Sequence, residues 1–408
     1  MDEQPIGRRI AYWRSRRKMS QQVFADRLEK SKSWVDKIER GVRKVDKFSV
    51  VYKIADVLQI DVQVLLGRDP SRRPDTITCI DQVDVTEIRS AMERYDKISA
   101  FFFATPEAPS LAELTKAVDH AWLTFQYSKY PQLARMLPKL LRDAQAANAA
   151  YDGDDGRVAA GLLGQAYQIA SSSLRKLGEH DLAWLAADRA VMACQRAGDD
   201  MLCCLATTRV ANALVALGRF RPALEIAVNI ANQIAPVGTC DATPERLTVY
   251  AMVLLQGAMA AARMGDPTTV RELISAAEEA AKQLGGDENY YWTNFGPTNV
   301  VFHKVAADVE LGEGGRAVET HETIAPEDFA AMMPERRAHH LLDLSRGLAQ
   351  TGDVARAGEV LLEADRIATG EVRCRPIAHE LLANILRRTV GSPPAQLAEL
   401  ADQIGLAV

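Results

Sequence analysis

Apolar residues at helical spacing, each run opened by a hydroxyl side chain or closed by a glycine, organise the first 67 residues. Ile6, Ile10 and Trp13 fall at i, i+4 and i+7 and predict a helix ending near Lys18. Ser20 reads as the cap of a second helix whose Phe24 and Leu28 face inward, and Ser31 repeats that chemistry for a third, with Val35 and Ile38 as its buried stripe. Gly41 stops the third helix, in the left-handed conformation that glycine adopts at little cost. A fourth helix is expected from Asp46, with Phe48, Val51, Ile54, Ala55 and Leu58 inward, and a fifth over 62–66 before Gly67. Five short helices of this kind make a small orthogonal bundle.

The stretch GRDPSRRPDTITCIDQ, 67–82, then breaks the pattern with prolines and polar residues. A helix is expected over 85–104, and after TPEAPS helical spacing resumes near Leu111 and persists to Val390. One phrase recurs in that stretch: a small-residue-rich helix, a glycine, and a small or apolar residue five positions on. The pairs are Gly178 with Ala183, Gly218 with Ala223, Gly265 with Val270, Gly312 with Ala317, and Gly352 with Ala357. The glycines lie 40, 47, 47 and 40 residues apart. Each is expected to end one helix and admit the next closely, giving antiparallel pairs that bury their faces only against neighbours. A degenerate sixth copy over 121–148 and a capping helix over 376–389 complete the expectation. The phrase resembles the tetratricopeptide repeat, with longer spacing and with alanine and leucine at most of the large aromatic positions. A plain helical bundle is the alternative. The predicted fold class is all-α: a five-helix head over 1–67, a linker over 68–84, and an α-solenoid of five to six helix pairs over 85–408.

Charge sharpens the division. The net charge of −5 conceals 15 Lys and Arg against 9 Asp and Glu in residues 1–67, and 34 against 45 in the remainder. A basic head is attracted to phosphates whatever their sequence. Six cysteines scattered without paired spacing, and no opening charged and apolar leader, predict a reducing, cytoplasmic setting. No apolar run approaches the roughly 20 residues that span a bilayer.

The head also carries a specific resemblance. Arg14, Ser20-Gln21, Phe24-Ala25, Leu28, Ser31, Ile38-Glu39-Arg40-Gly41 and Ile54-Ala55-Leu58 stand in the order of the Xre-type, lambda-repressor-like helix-turn-helix family across residues 6 to 67. The resemblance implies that the third helix enters the major groove of double-stranded operator DNA and that the protein binds as a homodimer. Carried over, the DNA-binding set is Gln21, Ser31, Lys32, Ser33, Trp34, Lys37, Arg43 and Lys44. Lys32, Ser33 and Lys37 would face bases, while Gln21, Arg43 and Lys44 would hold phosphates. Trp34 either meets thymine methyls or packs sideways on a neighbouring helix. Arg14 and Glu39 resemble the family's structural ion pair. Glu29-Lys30 replaces the family's usual Gly-Val at the turn, and Val45 its proline.

Projecting back from each glycine by helical spacing gives a ligand-binding set on the first helix of each pair: Gln165, Gln168, Ser172, Thr208, Arg209, Asn212, Gln256, Asn299, His303, His339 and Arg346. Amides among them suit an extended peptide backbone, since each offers a donor and an acceptor. The architecture looks like the peptide-sensing regulators of Gram-positive bacteria, which implies quorum sensing by a short peptide or small molecule. A constitutive protein scaffold attached to the head is the rival reading. NYYWTNFGPTN, 289–299, either walls a ligand pocket or fills a wide gap between repeats. DGDDG at 152–156 and GEGGR at 312–316 lack calcium-loop and phosphate-loop partners, and no catalytic triad or metal-ligand spacing is present, so neither catalysis nor a cofactor or metal is expected.

Overall fold

A computed structural model of the chain describes residues 6–17, 19–28, 30–42, 54, 57–58, 82–93, 108–238 and 241–406. The chain divides into two compact units, Met1–Ile77 and Thr78–Val408. Regular structure among the described residues is helical, apart from an isolated bridge between Glu288 and Phe295.

In the first unit, α1 (Ile6–Arg16), α2 (Gln21–Arg27) and α3 (Lys32–Glu39) follow the predicted caps. The Ser20 and Ser31 hydroxyls accept the backbone N–H of Val23 and Trp34 at 3.2 and 3.1 Å, a contact worth about 1 kcal/mol in each helix. Gly41, at φ +74°, turns the chain out of α3. A methyl group on Gly7 would lie 2.0 Å from the Ile38 carbonyl oxygen, so only glycine lets α1 cross the backbone of α3 there. Ile10, Phe24, Ala25, Leu28, Val35 and Ile38 form the core, joined by Ile54 and Leu58. The remainder of the predicted fourth and fifth helices, Ala55 included, and the linker up to residue 81 lie outside the described residues.

The second unit opens with α4 (Gln82–Glu93); the rest of the helix expected to residue 104 lies outside the described residues. Pairs follow: α5 (Leu111–Gln126) with α6 (Tyr130–Ala150), α7 (Gly153–Lys176) with α8 (His180–Ala197), α9 (Asp200–Ala216) with α10 (Phe220–Ile234), α11 (Pro244–Arg263) with α12 (Pro267–Leu284), and α13 (Pro297–Glu310) with α14 (Gly314–His321). A short α15 (Pro326–Ala331) precedes the sixth pair, α16 (Pro334–Thr351) with α17 (Val354–Ile367). α18 (Thr369–Arg373), the predicted capping helix α19 (Pro376–Arg388), and α20 (Ala395–Gln403) complete the chain. Two or three residues join the members of each pair, which forces them antiparallel. The apolar core is divided into successive clusters along the chain, as an array requires and a single-centred bundle does not.

All five repeat glycines have positive φ, between +72° and +93°. The second half of the expectation needs correction. A Cβ on Gly218, Gly265, Gly312 or Gly352 would meet nothing within 4 Å, so these glycines serve the left-handed turn and not close packing. Close packing falls to the residues five positions on: Ala183, Ala223, Val270, Ala317 and Ala357 are at most 2% exposed. In the α5–α6 pair, Ser128 at φ +54° occupies the glycine position. Among the described residues no helix is long and apolar enough to cross a membrane.

Replacing Gly218 by alanine adds no clash but places a Cβ in the left-handed region, at a cost of about 1–2 kcal/mol. Urea unfolding is expected to show that loss and a smaller one for Gly218→Asn; equal stability of the alanine variant would contradict the assignment.

Candidate functional site

Two surfaces carry the chemistry, one in each unit. In the head, Lys32, Ser33 and Lys37 stand exposed on α3, whose other face is bound to the core through Val35 and Ile38. The buried Glu39 carboxylate fixes the base of this helix, accepting Arg14 Nε at 2.6 Å and Gln21 Nε2 at 2.8 Å. One amide donor of half-buried Gln21 is thus used within the head. Ser31 caps α3, and half-buried Trp34 packs against the core, the sideways alternative. Arg43 and Lys44 lie outside the described residues.

In the second unit the face formed by the first helices of the pairs is bridged by residues from opposite ends of the array. The Lys176 ammonium, at the end of α7, donates to Glu335 in the first turn of α16 and to Glu371 in α18, partners 159 and 195 residues away. Tyr130 donates its phenol proton to the same Glu371, and Arg375 donates to its other oxygen. The ammonium also lies 5.3 and 5.6 Å from the ring centres of Phe125 and Tyr130. A Cβ on Gly370 would be 2.0 Å from the Ser128 carbonyl oxygen, so α18 rests on the α5–α6 turn. Burial works against the charge of Glu371, but Lys176 and then Arg375 hold its carboxyl down to about 2. Burial likewise opposes the charge of Glu335, which Lys176 and Arg336 hold well below the carboxylate range. Glu335, His339 and Glu371 present donor atoms within 4.8 Å of one another, a spacing that suits a metal ion, yet the ammonium of Lys176 already supplies the cation between the two carboxylates.

Closure leaves a cavity of about 410 Å³, lined by the first helix of all six pairs. Five of its cations are ion-paired. Arg263 and Arg346 reach Glu310 at 2.8 and 2.9 Å, Arg336 reaches Glu335 at 3.5 Å, and Lys176 and Arg375 meet the carboxylates already named. Arg175 and Arg209, also on the wall, form no ion pair among the described residues. Burial pushes both guanidinium groups down to about 10, abetted by Arg375 at Arg175, and by Arg336 and Arg175 at Arg209. They remain charged at neutral pH. Arg209 sits 5.9 Å from the Trp122 ring centre, and the buried Ser172 hydroxyl has no hydrogen-bond partner.

Histidines make the rest of the wall acid-sensitive. His340 stacks on Phe302 with ring centres 4.1 Å apart, and its Nε2 lies 2.8 Å from His321 Nδ1. Burial, then His321, pushes the His340 imidazole down to about 3; burial, then Arg336, pushes His303 down to about 4.

The aromatic segment is divided between two places. Trp292 lines the cavity and stacks on Trp122, ring planes 13° apart, whereas Phe295 is fully buried between repeats. Tyr291, Trp292 and Asn294 all have positive φ. Gln126 holds this strained run through Asn289 Oδ1 at 3.0 Å and the Trp292 carbonyl at 3.2 Å, and Asn294 Oδ1 accepts the Met333 N–H at 2.8 Å.

Of the residues projected toward a ligand, Ser172, Arg209, Asn212, Gln256, His303, His339 and Arg346 are brought together on the cavity wall. Four are placed elsewhere. Gln165 accepts the Trp122 indole N–H at 3.2 Å, Gln168 packs on Cys194, Thr208 donates to its own helix, and Asn299 donates to Asn294 behind the aromatic run. Arg175, Trp122, Glu335 and Arg375 were missed, although Arg175 lies one helical step from Ser172 and was within reach of the same projection.

Residues 5–66 match the family described as helix-turn-helix domain. Among solved structures, that of PlcR from Bacillus thuringiensis in complex with the peptide PapR7 and DNA aligns with 90% of this chain and 95% of that one, at 13% identity and a TM-score of 0.32. That score is too low for the arrangement or ligands of PlcR to be carried over. No curated protein sequence matches.

Lys176→Met removes the cation shared by two buried carboxylates, leaving Glu371 to Arg375 and Glu335 to Arg336, and is expected to cost about 3 kcal/mol in urea unfolding, part of it regained in K176M/E371Q. An unchanged midpoint would show that the closure is weak. The pH dependence follows from the depressed imidazoles. Their contribution is complete above the unfolded value of about 6.5 and is lost as pH falls toward about 4 and 3, because only the unfolded chain accepts the protons. Between pH 7 and 5 the loss from His303 and His340 together is about 3–4 kcal/mol. Thermal melts across that range check it, and His340→Gln should remove about half of the share these two supply.

Proposed function

We propose that the protein is a DNA-binding transcriptional regulator in which the helix-turn-helix head reads operator DNA and the repeat unit dimerises and senses a ligand in its cavity. The observation that carries the reading is the exposed face of α3 in a matched helix-turn-helix domain, which presents Lys32, Ser33 and Lys37. Helices of this kind place their N-terminal side chains against base edges in the major groove, where lysine donates to guanine O6 and N7. One head reads few base pairs, so a dimer on half-sites about one helical turn apart supplies the affinity of a specific regulator.

Ligand sensing is supported by the cavity. A cavity wall with two guanidinium groups that lack an ion-pair partner among the described residues, several imidazoles and a stacked tryptophan pair is costly to build for stability alone. A ligand that fits the closed array better than a more open one shifts their populations, and with them the fraction of dimers whose heads span both half-sites. By linkage, operator DNA changes ligand affinity by the same factor. The reducing, cytoplasmic setting expected from the cysteines is consistent with that role; Cys194, Cys203, Cys204 and Cys374 are free thiols.

Footprinting with the Lys32→Ala, Lys37→Ala double variant tests the head. Site-selective protection should vanish, while the weak, salt-dependent binding that does not depend on sequence and the thermal unfolding of the repeat unit are retained. Footprints like those of the unaltered protein would refute α3 as the reader.

A further inference from the structure

The cavity wall holds more positive charge than its own acids neutralise. Of seven cationic side chains there, Arg175 and Arg209 have no carboxylate partner among the described residues. A guanidinium group withdrawn from water without a counter-ion destabilises the fold that holds it, and an anion brought between two of them offsets that cost. A third polar group serves the same place. Ser172 is one helical step before Arg175, is 4% exposed, lines the cavity, and has a hydroxyl with no hydrogen-bond partner. Next to Arg209 lies Trp122, stacked in turn on Trp292, so a flat apolar surface adjoins the charged one.

We propose that the cavity takes a small organic anion, its carboxylate held by Arg175, Arg209 and the Ser172 hydroxyl and its planar body laid against Trp122 and Trp292. The proposal deepens the reading of the cavity as the ligand site and rests on it. Size argues for the same class. About 410 Å³ stands near the lower end of small-molecule pockets, roughly 300–1,000 Å³, and suits a ring system with a short acidic arm better than a long extended peptide. A carboxylate also matches the guanidinium fork in a way an amide or ammonium does not, because only the anion accepts two parallel N–H bonds while neutralising charge.

Two measurements on the full chain test this. In ligand-free protein, Arg209→Gln removes a partly buried charge that has no ion-pair partner among the described residues and is expected to raise the thermal midpoint; a fall would mean that the guanidinium is already satisfied within the fold, and would overturn the proposal. Calorimetric titration with indole-3-acetate, indole-3-acetamide, glycyl-tryptophan and glycyl-tryptophan amide probes the head group and its source. Each acid should bind at least ten-fold more tightly than its amide, and Arg209→Gln should erase that preference while Arg271→Gln, on an exposed face of α12, keeps it. Tighter binding of indole-3-acetate assigns the carboxylate to a free acid, and of glycyl-tryptophan to a peptide terminus. Equal affinity of acid and amide, a preference that survives Arg209→Gln, or binding by none of the four would overturn the proposal. Operator footprints with and without the bound acid separate the two readings: binding without a change in occupancy removes the regulatory role and leaves the anion site standing.

Discussion

A single ammonium group holds the second unit in the form it has. Lys176 is sealed from water between Glu335 and Glu371, with two aromatic rings beneath it. Charges so buried contribute little net stability against an apolar replacement, but once present they must stay paired, since separating them leaves a bare ion in a low-dielectric interior. That requirement ties α7 to α16 and α18 and thereby converts a curved row of helix pairs into a closed one. Tyr130, Arg375 and the contact of Gly370 on Ser128 follow from the same closure.

Closure explains why the polar side chains of the first helices matter. On an open concave surface Arg209, His303 and Arg346 would be solvated and nearly independent. Enclosed, they compete for a small number of acids, and the competition leaves Arg175 and Arg209 unmatched. The strained run at Tyr291, Trp292 and Asn294 belongs to the same wall: three left-handed side-chain-bearing residues persist because Gln126, Asn289 and Asn294 bond across from α5 to the residue before α16. A wall assembled from distant segments in this way depends on the curvature of the array.

The head obeys a simpler logic. Its caps, its glycine stop and the Arg14–Glu39–Gln21 network are local or nearly so, and they hold α3 while leaving Lys32, Ser33 and Lys37 free of the fold. Exposed residues and anchoring residues are different side chains on one helix. Gln21 joins the anchoring side of that division, its amide donating to the buried carboxylate of Glu39.

Much of this was legible in the sequence. Period and capping residues located α1 to α3, and the repeated glycines located the turns of five helix pairs, because helix ends and left-handed turns are decided by a few neighbouring residues. Helical spacing even brought seven of eleven projected residues to the cavity, but it could not separate the inward face from the faces against adjacent helices. Ser172 therefore lines the cavity while Gln168, one turn earlier, packs on Cys194. What the chain order could not disclose was the meeting of residues 130, 176, 335 and 371, or which charges would be left without partners once they met. Those outcomes depend on the accumulated curvature of six pairs and on desolvation at their centre, and both exist only when the whole array is assembled.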